Sequence, residues 1–311
     1  LVALPLSRYS SRPEPATERA GWNAPYRLVF ERGEQPFMAS PETIHAGRVF
    51  DTVEAANSAA RSLVAASWRR SLLHHRLEPG TNRPTLTVTE GEMKTARERL
   101  EPLIRVATPS LDRLFRAVGN TGCCVLLSDA RGLLLERRGT DGDQKTFRQW
   151  GLWPGAVWSE DSEGTNGVGT CIAEGRPVTI HRDQHFFARN TAMSCMDAPI
   201  HDHEGRLAAV LDISSCRADD TAVFLQLIQS SVIDTARRIE SDNFRAAFAG
   251  SRIIMGDDHG RKGAVLLAVD RDDLVVGATR AARQIFGLSD EALKTPRPAQ
   301  DVLSGQAYVA D

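Results

Sequence analysis

Residues 151–186 read G-L-W-P-G-A-V-W-S-E-D-S-E-G-T-N-G-V-G-T-C-I-A-E-G-R-P-V-T-I-H-R-D-Q-H-F. Two of the five tryptophans, Trp153 and Trp158, lie here beside Gly and Pro. A large aromatic side chain carries about 150–250 Å² of area that must be covered. Indoles in a Gly- and Pro-rich loop therefore predict one wall of a small, mostly apolar pocket. Gly164, Gly167 and Gly169 follow. Their spacing is not G-x-G-x-x-G and no strand immediately precedes them, so a tight turn into a short helix fits better than a phosphate loop. Thr165 and Asn166 then serve as caps or as ligand hydrogen-bonders. Pro177–Ile180 reads as a strand, followed by His181, His185 and Phe186.

The surrounding chain is of ordinary globular composition, with 311 residues, 41% hydrophobic and 25% charged, enough for two domains. A net charge of −2 gives no overall field that would draw it to nucleic acid or an anionic membrane. There is no run of eighteen apolar residues and no secretory signal pattern. Five cysteines without a CxxC pair argue against a disulfide scaffold and for a reducing cytoplasm. The first residue is Leu rather than Met, and the C-terminal segment reads as part of an unfinished unit. The expectation is a piece of a longer protein.

Residues 1–39, rich in Pro, Arg, Ser and Glu, are expected to be a disordered tail. Residues 40–120 form a helical region. Ser40-Pro41 is a cap and first turn, and apolar residues from Val49 to Trp68 recur at helical spacing. Trp68-Arg69-Arg70 reads either as a basic patch or, more simply, as a solvated face beside a packed indole. Thr89–Glu92 has capping-box form. The stripe Leu100, Ile104, Ala107, Leu111, Leu114, Val118 predicts two helices, broken near residue 108 by Pro102 and Thr108-Pro109, with a seam suited to a dimer or to internal packing.

From residue 121 the period is two. Cys123–Ser128 with Leu133–Arg137, Ala198–His201 with Arg206–Ile213, and Val265–Val269 with Leu274–Val276 each flank an acidic turn, which predicts antiparallel sheets used twice. Asp219 and Asp220 cap a helix with the stripe Leu225, Ile228, Val232, Ala236, Ile239. Residues 249–261 read as a linker, and Ala278–Leu288 as a short helix.

The motifs of 151–186, with Cys195 and Ala198-Pro199-Ile200, resemble the GAF domain of acetoin-operon-type regulators, which are bacterial sensor–transcription factors. The preceding helices are similar to their N-terminal segment, and Gly263–Leu288 to a PAS-like segment. The resemblance implies an α+β fold: a GAF-like antiparallel sheet flanked by helices over 121–248, a helical N-terminal region before it, and a partial PAS-like unit over 262–311. It also implies a DNA-binding output, and RNA polymerase contact in sigma-54-dependent members, through a C-terminal region that this sequence lacks. No G-x-x-x-x-G-K-[ST] is present to bind ATP.

The function expected is sensory and non-enzymatic. A small organic effector binds at Trp153, Trp158, Thr165, Asn166, His181, His185, Phe186 and Cys195, and the flanking helices of a homodimer relay its occupancy. Other readings stay open. His181, His185, Cys195, His201 and His203 lack finger spacing, so hydrogen-bonded histidines are simpler than a metal site. Cys171 and Cys195 suit a redox sensor or a GAF-type methionine sulfoxide reductase only if a cation activates a thiolate. A dimerisation scaffold with a filled core is the third reading.

Overall fold

A computed structural model describes residues 40–304 apart from 56, 218–220 and 257–262. The expected tail and the Asp219/Asp220 cap lie outside the described residues.

The N-terminal region is helical but segmented. Helix α1 (Pro41–Glu54) starts on the Ser40 cap as expected, then α2 (Ser58–Arg61) and α3 (Leu63–Arg69) follow. Asn57 takes a left-handed backbone conformation, which a continuous helix from Pro41 to Trp68 would not allow. Helix α4 (Glu90–Val118) has the expected capping box but no break: Pro102 and Pro109 both lie inside one helix of 29 residues. An internal proline costs about 3 kcal/mol. Against that, Leu103, Ile104, Ala107, Leu111, Leu114 and Val118 are all buried on the sheet, and each large apolar side chain contributes about 1.5–3 kcal/mol. The unbroken stripe wins.

The main sheet comprises β1 (Cys123–Asp129), β2 (Leu134–Arg138), β3 (Val178–His181), β4 (Ser194–His201) and β5 (Leu207–Ser215), in the order β2-β1-β5-β4-β3, antiparallel throughout. One face carries Val125, Leu127, Met196, Ala198, Leu211 and Ile213, and packs against α4 and α8 (Ala222–Ala247). The described N-cap of α8 is Thr221. The opposite face is covered by α5 (Gln144–Gln149), α6 (Glu160–Glu163), α7 (Gly167–Glu174) and their loops.

A second sheet, β6 (Arg252–Gly256), β7 (Val265–Val269) and β8 (Val275–Ala278), is also antiparallel. Strand β6 falls within the stretch expected to be a linker. Its backbone pairs with β7, which a Gly- and Arg-rich composition does not reveal. Helices α9 (Arg280–Phe286), α10 (Asp290–Lys294) and α11 (Ala299–Ser304) complete this unit.

The three acidic turns share one device. Asp129, Asp202 and Asp270 each accept, through Oδ1, backbone N–H bonds from the residues two and four further on, at 2.9–3.0 Å. Gly132 and Gly205 supply the left-handed residue of the first two turns, and Asp273 supplies it in the third, where glycine is missing.

The N-terminal helices dock on the loop after β3. Phe186 and Phe187 pack with Val49, Val53 and Trp68. Removing that ring leaves a cavity, so Phe186→Ala is expected to lower stability by about 3–5 kcal/mol. Hydrogen exchange over 41–69 should accelerate more than over 123–129; equal acceleration would refute docking through this ring.

Candidate ligand-binding site

Antiparallel register sets the site. Directly paired residues share a face, and Arg137, Leu126, Asp212, Asp197 and Val178 form one row across β2, β1, β5, β4 and β3. The next row is Cys124, Ser214, Cys195 and Ile180. Leu126, Val178, Cys124, Cys195 and Ile180 all belong to the core under α5–α7, so both rows face that cover.

Asp197, Asp212, Ser214 and Cys195 are almost wholly buried, Arg137 is half-buried, and several of their polar atoms lack partners. The Asp197 and Asp212 carboxyls bond to each other across the strand pair when one holds a proton, and beyond that bond neither Asp197 oxygen nor Asp212 Oδ1 has a partner among the described residues. Asp212 Oδ2 accepts from Ser214 Oγ at 2.7 Å. Asp197 lies directly under the start of α7, where a Cβ on Gly167 would come within 2.0 Å of its Oδ2. Only glycine permits that approach.

Burial raises both carboxyls; the Asp212 charge raises Asp197 further, while hydrogen bonds from Ser214 and Asp197 partly offset the rise at Asp212. Asp197 is pushed well above the usual carboxylate range, and Asp212 up to about 7. Of the pair, Asp197 is the carboxyl that burial and its neighbour's charge push toward keeping a proton, and in that form it donates as well as accepts.

Cys195 Sγ lies 3.3 Å from Ser214 Oγ and 3.5 Å from His185 Nε2. Ser214 gives its proton to Asp212. His185 Nδ1 donates to the Arg182 carbonyl at 2.9 Å. Both groups thus turn a lone pair toward the thiol. Burial lowers His185 to about 4, so the imidazole is neutral. Burial, reinforced by the carboxyls, pushes the Cys124, Cys171 and Cys195 thiols well up. A nucleophilic thiolate needs the opposite environment. Among the described residues, no group of three or more His, Cys, Asp or Glu is placed to hold a metal ion.

At the other end of the row, the Arg137 guanidinium lies over Phe147, 5.4 Å from the ring centroid, and over Trp153 at 4.8 Å. Arg148 lies over the same indole at 3.9 Å. The Nε and Nη2 of Arg137 are buried without an acceptor.

The structure brings His185 and Cys195 together with these rows and sets the half-buried Trp153 against Arg137. The other candidate residues have different surroundings. Trp158 is 2% exposed in the core, its Nε1 donating to the Gly151 carbonyl at 2.8 Å. Asn166 caps α7 through Gly169 N at 2.8 Å, and Thr165 Oγ1 lies 2.6 Å from Ser67 Oγ. His181 Nδ1 meets Ser194 Oγ at 2.8 Å, and Phe186 faces the N-terminal helices. Three clefts of 310, 550 and 470 Å³ open elsewhere, and neither Trp153 nor Trp158 lines any of the three.

Asp197, Asp212, Ser214 and Arg137 were not singled out by the sequence reading. The available signal was a lone carboxylate inside each of two apolar strands, M-D-A-P-I and V-L-D-I-S.

Residues 102–238 match the GAF domain, and the chain carries a GAF domain there. Relatives with curated names include the acetoin catabolism regulatory protein of Cupriavidus necator, 30% identical over 230 residues, 71% of this chain and 34% of that protein. The acetoin dehydrogenase operon transcriptional activator AcoR of Bacillus subtilis is 28% identical over 50% of this chain and 25% of its own length. The propane 2-monooxygenase operon transcriptional activator MimR of Mycolicibacterium smegmatis is 30% identical over 42% of this chain and 22% of its own. The chain thus spans about a third or less of these relatives. Among solved structures, the E. coli DhaR(N)–DhaL complex contains a chain that superposes with a TM-score of 0.54 at 16% identity, covering 79% of this chain and 84% of that one, which is a likeness of fold. Among the described residues no helix is long and apolar enough to cross a membrane.

The carboxyl pair gives the site a pH signature. Asp212 binds its proton more tightly folded than unfolded, so it adds stability that is full below pH 4 and lost as pH rises toward 7. His185, lowered on folding, acts oppositely below 6.5. Asp212→Asn should therefore flatten the fall in melting temperature between pH 4 and 7, and the gap between wild type and variant should change steadily over that range and level off above pH 7. A pH-independent difference would show that Asp212 ionises normally.

Proposed function

We propose that this chain is the sensory region of a bacterial transcriptional regulator, and that a small oxygenated metabolite binds over the Asp197–Asp212 row beneath the 151–175 cover. The observation that carries this reading is a set of buried polar atoms without partners, on the sheet face that a GAF module turns toward its cover. Burying such atoms unpaired is unfavourable by about 1–3 kcal/mol each. A ligand that pairs them recovers this. Regulator relatives, two of them named for acetoin, support the output class.

The relay follows from contacts of α8. Gln229 Nε2 donates to the Asp197 carbonyl at 3.1 Å, and Gln229 Oε1 accepts from Thr179 at 2.8 Å. Glu240 Oε1 accepts from both the backbone N and Nδ1 of His201 at 2.7 Å. A movement of β4 on ligand binding is thereby passed to α8. In this reading the chain is cytoplasmic and non-enzymatic, and it pairs with a second copy along α8, where Val223 and Leu227 are exposed one turn apart. DNA and RNA polymerase are reached through further sequence. In this reading residues 262–311 belong to a partial PAS-like unit.

Thermal-shift screening with small ketones, diols and hydroxy acids tests the reading. Specific binding at a hundredfold excess over Kd adds about 2.7 kcal/mol, roughly 5–10 °C here. A flat response across the panel would overturn the proposal. Gln229→Ala should keep binding but lose the ligand-dependent change in hydrogen exchange along α8; an unchanged α8 response would remove Gln229 from the relay.

A further inference from the structure

Resting on that pocket reading, we infer that the effector carries a carboxylate, anchored by Arg137, and a hydrogen-bond donor that reaches the Asp212–Asp197 pair.

Arg137 is the member of the row for which the protein provides no acceptor. Its Nε and Nη2 lie along one edge of the guanidinium, are buried, and make no hydrogen bond. That edge is the two-pronged donor which matches the two oxygens of a carboxylate. The guanidinium stays charged at any physiological pH, so its two idle donors leave a cation poorly satisfied in the free protein. Phe147 and Trp153 flank it and hold its plane. The side of Gly139 that lacks a side chain faces Nη2, and a Cβ there would lie 2.2 Å away.

The local charge agrees. Arg148 is a second cation over Trp153, and no ion pair to Arg137 or Arg148 is found among the described residues. The nearby acids are engaged within their own loop: Asp143 accepts from Thr140 at 2.6 Å, and Asp141 from Gln144 at 2.7 Å. The pocket mouth therefore favours an anion.

The far end favours a donor. Asp212 Oδ1 has no fixed donor, and beyond Ser214 its carboxyl meets only the Asp197 carboxyl among the described residues. Arg137 and Asp212 both pair with Leu126, from opposite sides. They are thus two strand spacings apart, about 10 Å between backbones. With an arginine and an aspartate side chain reaching in from the two ends, the remaining span matches a short ligand lying across Leu126, which is 1% exposed, so binding requires the α5–α7 cover to lift from that side chain. A short acid bearing a hydroxyl or an amino group meets both ends and keeps an apolar middle over an apolar residue.

The test uses the 311-residue chain and titration calorimetry with four probes: 3-hydroxybutyrate, 4-aminobutyrate, butyrate and the neutral 2,3-butanediol. The hydroxy or the amino acid is expected to bind most tightly, which identifies the donor. Butyrate should bind more weakly and the diol weakest. Arg137→Met keeps the stem between the two rings and should weaken the best acid by about tenfold or more. Arg137→Lys should restore part of the loss, which separates charge recognition from folding, and circular dichroism checks that both variants fold. If the diol binds as well as the acids and Arg137→Met binds like wild type, the carboxylate inference fails while the pocket stands. If none of the four binds, and the wider thermal-shift panel is also flat, the pocket reading itself fails.

Discussion

A carboxyl group held against the first turn of a helix, deep in an apolar face, is the constraint on which the pocket side of this domain depends. Asp197 occupies that place because residue 167 has no side chain, and its strand neighbour Asp212 competes with it for one proton. Two ionised carboxylates would repel strongly in such surroundings. Retaining one proton removes that repulsion by bonding the two carboxyls together, and their other oxygens still lack fixed donors apart from Asp212 Oδ2. Ser214 satisfies that oxygen, and the Cys195 thiol and the neutral His185 extend the polar strip without adding charge. The free domain thus holds a proton-sharing carboxyl pair at one end of a row and an unpaired cation at the other.

The cover over this row is fastened from outside. Ser67 on α3 reaches the Glu160 carboxylate and lies 2.6 Å from Thr165 Oγ1, on either side of the α6–α7 turn. Arg70 bridges Glu160 and Glu174, so half of the Arg69–Arg70 pair turns inward rather than forming a basic patch. His45 Nε2 meets the carbonyls of His185 and Phe186 at 3.0 and 3.1 Å, and Trp68 Nε1 donates to Gln184 at 2.9 Å. The segment carrying His185 is therefore gripped by the N-terminal helices on one side while its ring touches Cys195 on the other. Any shift of that ring is felt by both.

Local rules carried much of the fold. The strand pairs and their acidic turns were legible because a period of two and an Asp that caps its own turn are both short-range properties. The unbroken α4 was not, since a proline rule is local while the buried stripe that overrides it belongs to the sheet. The site was less legible still. Period two says that Asp197 and Asp212 point to one face of their strands, but not which face meets a helix pair and which meets the cover. Placing Arg137 in the same row needs the pairing of β2, β1 and β5, and the last is more than seventy residues further along the chain. The size of Trp158 and Phe186 announced that much area had to be covered. It carried no information on whether a ligand, the core or the N-terminal helices would cover it.

The reporting element follows from the same geometry. Helix α8 grips β4 at two places, by Gln229 at the backbone of Asp197 and by Glu240 at His201. Its last turns continue beyond the sheet. Phe244 and Phe248 pack with Leu266, Ala268 and Val276 of the second sheet unit, and the His203 ring meets Phe248 edge-on at 5.9 Å. Packed interiors transmit displacement rather than absorb it. In the proposed reading, a ligand that pairs the Asp197 carboxyl acts on a residue whose side chain lies under the α7 cover and whose backbone is held by α8. Coupling of about 1–3 kcal/mol is sufficient for a useful switch, which is on the scale of one or two buried hydrogen bonds gained or lost.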